Sequence, residues 1–185
     1  MHSLILGGAR SGKSALAERI AGEHAEVVYI ATGQAGDAEM AERIAHHRAR
    51  RPAHWGCIEE PIALAAALRA HAAPQRCVLV DCLTLWLSNL LFGAEPAAFE
   101  RERADLLATL PSLPGRVLLV SNEVGLGVVP MGEVSRRYVD EAGRLHQALG
   151  ALCPQVLFVA AGLPLVLKGA PPALGGTGAI AGVEQ

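Results

Sequence analysis

Gly7-Gly8-Ala9-Arg10-Ser11-Gly12-Lys13-Ser14 satisfies the spacing G-x-x-x-x-G-K-[ST], directly after the apolar run Leu4–Leu6. Glycines at those places let successive backbone N–H groups curl inward around a phosphate. A helix starting at the lysine adds its positive N-terminal end. In that chemistry Lys13 reaches the β- and γ-phosphates, and Ser14 offers a hydroxyl to Mg²⁺. The segment reads as a nucleoside triphosphate site, against the plainer alternative of a glycine-rich strand–helix turn. A partner carboxylate is expected at the end of another strand. Cys77-Val78-Leu79-Val80-Asp81 runs four apolar or thiol side chains into an acid, the pattern of a metal-side aspartate. Capping a helix that begins at Leu83 is the other role open to Asp81.

The densest polar segment is Arg43-Ile44-Ala45-His46-His47-Arg48-Ala49-Arg50-Arg51-Pro52-Ala53-His54-Trp55, with three histidines and four arginines. On a helix starting near Asp37, the residues Met40, Ile44, His47 and Arg51 share one face, which carries His47 toward the protein body. His46 is turned by about 100° from it, toward Arg43 and Arg50. An imidazole is mostly neutral at pH 7 and is a competent nucleophile toward phosphorus, with arginines to neutralise charge in transfer. A solvated basic helix end accounts for the same residues. A zinc site from His46, His47 and His54 fits poorly, because adjacent helical residues do not both reach one ion.

Positioning these groups needs strands that end at a common edge. Strands are expected at Ser3–Leu6, Val27–Ala31, Cys77–Asp81, Arg116–Ser121 and Gln155–Ala161, with a short one at Leu165–Lys168. Near-continuous apolar strands of this kind are buried on both faces, as in parallel sheets. The helical stretches between them are Lys13–Glu23, Asp37–Arg50, Pro61–Ala72, Leu83–Leu91, Pro96–Leu110 and Glu133–Leu152. Strand–helix alternation with right-handed crossovers gives a three-layer, doubly wound α/β fold. Residues 1–168 are expected to form one nucleotide-binding catalytic domain, and 169–185 a Gly/Ala/Pro-rich tail.

The 185 residues suit a single domain with a substantial core, and 51% hydrophobic against 18% charged residues excludes a disordered chain. A net charge of -2 gives no general footprint for nucleic acid, so no nucleic-acid partner is expected. The four cysteines show no C-x-x-C pair and read as reduced core thiols. No stretch is long enough to span a bilayer, and a cytoplasmic location is expected. A GTPase switch needs N-K-x-D where this chain has Ser121-Asn122-Glu123-Val124, and a nucleic-acid motor needs basic and aromatic surfaces. An enzyme acting on a small molecule remains.

The P-loop, Tyr29-Ile30-Ala31-Thr32, the Arg43–Trp55 block and Ser121-Asn122-Glu123-Val124-Gly125-Leu126-Gly127-Val128-Val129-Pro130 occur in an order that resembles one family. It is the bifunctional adenosylcobinamide kinase/adenosylcobinamide-phosphate guanylyltransferase family of cobalamin biosynthesis. The resemblance runs from about Ser3 to Lys168. It implies a P-loop NTPase (RecA-like) three-layer fold with a mostly parallel central sheet. It also implies two reactions: phosphorylation of adenosylcobinamide by a nucleoside triphosphate, ATP or GTP, and transfer of GMP from GTP onto that phosphate through a GMP–histidine intermediate, releasing pyrophosphate. Carried over by position, Gly7, Gly8, Ala9, Arg10, Ser11, Gly12, Lys13 and Ser14 bind nucleotide, with Lys13 also catalytic. Further nucleotide contacts are Ala31, Thr32, Gly33, Arg48, Ala49, Arg50, Arg51, Glu59 and Asp81, with Glu60 an alternative to Glu59. Ser14 and Asp81 are the Mg²⁺ side. His47 is the expected GMP acceptor and His46 the alternative. A homotrimer is implied as well.

Overall fold

The computed structural model describes residues 1–33, 52–95 and 97–172. Seven strands are present there: β1 (His2–Gly7), β2 (Glu26–Ala31), β3 (Gly56–Glu59), β4 (Arg76–Asp81), β5 (Arg116–Asn122), β6 (Gln155–Ala160) and β7 (Leu163–Lys168). The helices are α1 (Lys13–Gly22), α2 (Leu64–His71), α3 (Leu83–Ser88), α4 (Ala98–Thr109) and α5 (Glu133–Leu152). A π-helical turn, Asn89–Gly93, continues α3 where one long helix was expected. The expected helix Asp37–Arg50 lies outside the described residues.

One sheet holds all seven strands in the order β3-β2-β4-β5-β1-β6-β7. Every pairing is parallel except β6 with β7. The three central strands β1, β4 and β5 are buried along their length but for the end residues of β4 and β5, because helices cover both faces, which is why their sequences do not alternate. On one face Leu16, Ala17 and Ile20 of α1 pack against Ile5, Leu79, Val120 and Leu157. On the other, Leu68 of α2, Trp86 of α3, Leu106 of α4 and Leu145 of α5 pack against Leu4, Val78, Val80 and Leu119. Residues alternate faces along each strand, so one set of strands feeds two cores.

Two strands depart from expectation. β3 was not expected at all. It is a four-residue edge strand, Gly-Cys-Ile-Glu, in which only Ile58 is packed, so no apolar run announces it. β7 begins two residues early, at Leu163, and Pro164 sits within it. An edge strand tolerates the missing N–H. Ala161 and Gly162, both with positive φ, form the two-residue turn joining β6 to its antiparallel neighbour.

Cys77, Cys82 and Cys153 are core thiols as expected, and burial pushes Cys77 up to about 12 and Cys153 up to about 11. Cys57 is a correction. It lies exposed on β3, because an edge strand has one face open to water.

Candidate functional site

The first link is the loop after β1. Gly12 is the N-cap of α1 at φ 95°, a left-handed conformation that costs glycine little. A Cβ at Gly7 would lie 2.5 Å from the Val159 carbonyl oxygen and 2.6 Å from Ser11 Oγ, so the loop closes only on a bare backbone there. Ser11 N–H donates to the Gly8 carbonyl at 3.2 Å, and Leu16 N–H donates to Gly12 O at 2.9 Å to start the helix. The β6–β7 turn holds the loop from outside: Gly162 N–H donates to Ser11 O at 2.8 Å. Ala9 and Arg10 stand exposed on the rim. Gly12→Ala is expected to lower stability by about 1–3 kcal/mol and to weaken nucleotide binding in parallel. Chemical denaturation and titration with a fluorescent ATP analogue would check both.

Lys13 is 7% exposed, and its ammonium donates to the Gly8 carbonyl at 3.2 Å. Burial pulls its pKa below the usual lysine value, and the nearby Asp81 and Cys82 partly oppose that. A buried lysine in a glycine loop at a helix N-terminus suits a polyanion, whose negative charge would favour the ammonium form. Ser14 follows in the first turn of α1.

Asp81 ends β4, and β5 separates that strand from β1. With strands about 4.8 Å apart, its carboxylate belongs to the same edge as the loop, roughly two strand spacings away. The N-cap of α3 is Cys82, with no side-chain cap, so Asp81 is not spent on starting that helix. Ala31 pairs in register with both Asp81 and Glu59, which brings the ends of β2, β3 and β4 level. Thr32 Oγ1 accepts from Cys82 N–H at 2.9 Å and donates to the Cys82 carbonyl at 2.7 Å. Its hydroxyl therefore ties β2 to β4, and Asn89 holds the Thr32 carbonyl at 2.8 Å. Glu60 Oε1 accepts the amides of Ile62 and Ala63 at 2.9 and 2.7 Å, a turn-capping role.

The glycine-rich segment Asn122 to Pro130 is expected from the sequence to sit where open α/β sheets bind ligands, a structural turn being the alternative, and the structure gives the contacts at its start. Asn122 pairs in register with Gly7, and Glu123 N–H donates to the Gly7 carbonyl at 3.0 Å. Asn122 Nδ2 donates to Thr84 Oγ1 at 3.1 Å, while its Oδ1 is buried without a partner. The Tyr138 hydroxyl donates to the Thr84 carbonyl at 2.9 Å, and burial pushes this phenol up to about 12.

β1 and β5 are neighbours, yet α1 packs on one face of the sheet and α5 on the other. That reversal opens a crevice at the carboxyl ends of the strands, the place where ligands bind in open α/β sheets. The P-loop lines one side and the segment from Asn122 the other. His47, His46 and Arg48 to Arg51 lie outside the described residues.

A family model described as cobinamide kinase / cobinamide phosphate guanyltransferase matches residues 3–167. The chain belongs to the cobinamide kinase/cobinamide phosphate guanyltransferase family. It is 65% identical over 172 residues to the bifunctional adenosylcobalamin biosynthesis protein CobP of Pseudomonas aeruginosa, covering 92% of this chain and 99% of that one. It is 40% identical to the protein CobU of Escherichia coli K12, covering 91% of this chain and 100% of the relative. Among solved structures, an ATPase of a type III secretion system shares the fold at 12% identity and TM-score 0.54. That match covers 89% of this chain and 56% of the ATPase. A Pyrococcus horikoshii protein matches at 10% identity and TM-score 0.51, over 94% of this chain and 88% of that one. These two likenesses speak for the three-layer P-loop architecture alone.

The described residues include the glycine loop Gly7–Ser14 and the strand ends around it. No helix among them is long and apolar enough to cross a membrane, and they contain no cluster of three or more His, Cys, Asp or Glu that could hold a metal.

Proposed function

We propose that this protein carries both activities of its family in adenosylcobalamin biosynthesis, and that its P-loop and its histidine pair divide the chemistry. The observation that carries the reading is Lys13, a buried lysine in the glycine loop after β1 whose ammonium donates to the Gly8 carbonyl. In the first reaction the acceptor hydroxyl oxygen of adenosylcobinamide forms a bond to the γ-phosphorus. The bond to the bridging oxygen breaks, and the nucleoside diphosphate leaves with the electron pair. Little covalent machinery is needed beyond positioning and charge neutralisation. Backbone amides of Gly7 to Ser14 and the Lys13 ammonium hold the phosphates in line.

In the second reaction an imidazole nitrogen of His47, or of its neighbour His46, attacks the α-phosphorus of GTP and expels pyrophosphate. A phosphate oxygen of adenosylcobinamide phosphate then displaces the histidine, giving adenosylcobinamide-GDP. Arg48, Arg50 and Arg51 supply the cationic surroundings for the triphosphate, with the Ala49 backbone between them. Ala31, Gly33 and Glu59 border the nucleotide from the level ends of β2 and β3, with Thr32, fully buried and bonded to Cys82 and Asn89, fixing them from behind. Glu60 Oε1 accepts the Ile62 and Ala63 amides, and Glu59 is retained as the nucleotide contact that the resemblance implies.

The Ser14 hydroxyl and the Asp81 carboxylate are hard oxygen donors at one sheet edge, and they fit Mg²⁺. When bound, Mg²⁺ neutralises phosphate charge as it develops in transfer. The homotrimer follows from the resemblance, while the cytoplasmic location, the single catalytic domain over 1–168 and the Gly/Ala/Pro-rich tail over 169–185 follow from length and composition. An apolar surface supports assembly: Leu126, Val128, Val129 and Met131 are all exposed, Val128 and Met131 at 96% each. Val128→Asp combined with Met131→Asp is expected to convert trimer to monomer, read by size-exclusion chromatography with light scattering.

The function is tested by incubating the protein with adenosylcobinamide, ATP, GTP and Mg²⁺ and following corrinoid masses over time. Adenosylcobinamide phosphate should appear first and adenosylcobinamide-GDP second, with pyrophosphate released. A corrinoid that stays unmodified through the whole incubation rules the proposal out.

A further inference from the structure

We propose that Glu123 takes the proton from the acceptor hydroxyl in the kinase step, and that His146 is the positioning residue that aims its carboxylate. The proposal rests on the kinase reading above. Nucleophilic attack by a hydroxyl leaves a proton that needs an acceptor on the side of the crevice opposite the P-loop.

Four carboxylates stand at the carboxyl edge of the sheet among the described residues, and three have other places. Asp81 sits in the field of Lys13, on the phosphate side. Glu60 is held by two amides. Glu59 ends β3, four strands from β1. Glu123 alone follows the strand that adjoins the P-loop strand, and its own N–H is bonded to Gly7, the first residue of that loop.

The side chain is also braced. Glu123 Oε1 accepts the Gly125 N–H at 2.6 Å, and its Oε2 lies 3.6 Å from His146 Nδ1. His146 Nε2 is 2.7 Å from Ser121 Oγ. Ser121 and His146 are 1% and 8% exposed, so this chain is roofed by protein, while the Glu123 side chain keeps 21% exposure. Burial holds the His146 pKa below the ordinary histidine value against the pull of Glu123. A neutral ring steers the carboxylate without cancelling its charge, which is what a base requires. When the new O–P bond forms and the γ-phosphorus–oxygen bond breaks, the hydroxyl proton passes to Glu123 and from there to water.

The test compares wild type with Glu123→Gln, Glu123→Asp and His146→Gln, measuring kcat and KM for phosphorylation of adenosylcobinamide by ATP and Mg²⁺. Glutamine keeps an amide oxygen for Gly125, so the loop is not dismantled. A fluorescent ATP analogue and the thermal midpoint verify the fold of each variant. The expected result is a kcat loss of about 100-fold or more in Glu123→Gln with KM for ATP nearly unchanged. Glu123→Asp should recover part of that loss, and His146→Gln should lower kcat less than Glu123→Gln does, again without moving KM. An active wild type whose Glu123→Gln variant keeps its kcat overturns this proposal alone. So does a Glu123→Gln variant that loses ATP binding together with turnover. A wild type that phosphorylates no adenosylcobinamide overturns the kinase reading itself, and this proposal with it.

Discussion

His47→Ala is expected to abolish covalent labelling of the protein by [α-³²P]GTP while leaving phosphorylation of adenosylcobinamide in place. The label in wild type should survive base and be lost in acid, the behaviour of a phosphorus–nitrogen bond to imidazole. Removing the nucleophile removes the covalent route entirely, since no hydroxyl or thiol in Arg43–Trp55 can substitute. His46→Ala is expected to keep the label, because on the helix expected from Asp37 to Arg50 the spacing would place His46 off the face shared by Met40, Ile44 and His47. Denaturing electrophoresis of the three proteins decides it. Label lost with His46→Ala alone would retain the mechanism and move the nucleophile by one residue. Wild type that binds GTP and takes no label would leave the transferase without its intermediate.

Lys13→Met should have the other large effect, and with opposite signs on function and stability. Turnover in the kinase reaction is expected to fall about 10³-fold or more, because the buried cation of the P-loop disappears from the transition state. Stability of the nucleotide-free protein should rise. Burial depresses the Lys13 pKa in the folded state relative to the unfolded chain, so the folded state binds fewer protons between the two values. Wild-type stability then climbs with pH across the window from the depressed value to the ordinary lysine value, and the lysine costs stability below it. Methionine fills the same space without that cost. A thermal midpoint raised in the absence of nucleotide, together with lost turnover, would meet both expectations. A lowered midpoint would show that the ammonium is well solvated in the empty loop.

Much of this was visible in the chain because its signals are local. The phosphate loop depends on eight consecutive residues whose backbone demands are met by glycines, and the structure places Gly7 and Gly12 where a side chain would collide or strain. Central strands were visible because double burial forces unbroken apolar runs such as Leu79 and Val80. Glu133–Leu152 matches the helix observed there to the residue, its apolar positions recurring on one stripe ending at Leu149. By contrast β3 carries no pattern, since an edge strand with one packed side chain asks nothing distinctive of its sequence. The antiparallel return of β7 was equally hidden, because a two-residue turn is decided by Ala161 and Gly162 taking left-handed φ.

The sequence by itself pointed to a nucleotide loop at Gly7–Ser14 and to the family the chain belongs to. Each rests on residue types at short fixed spacings. Only the tertiary structure decided which distant residues share the site. It put Glu123 against Gly7, ran Ser121 and His146 into a buried chain behind that carboxylate, and withdrew the hydroxyl of Thr32 and the carboxylate of Glu60 into structural bonds. The physical reason is that such pairings depend on strand order and on which face each helix covers, and these are settled by packing the whole sheet at once.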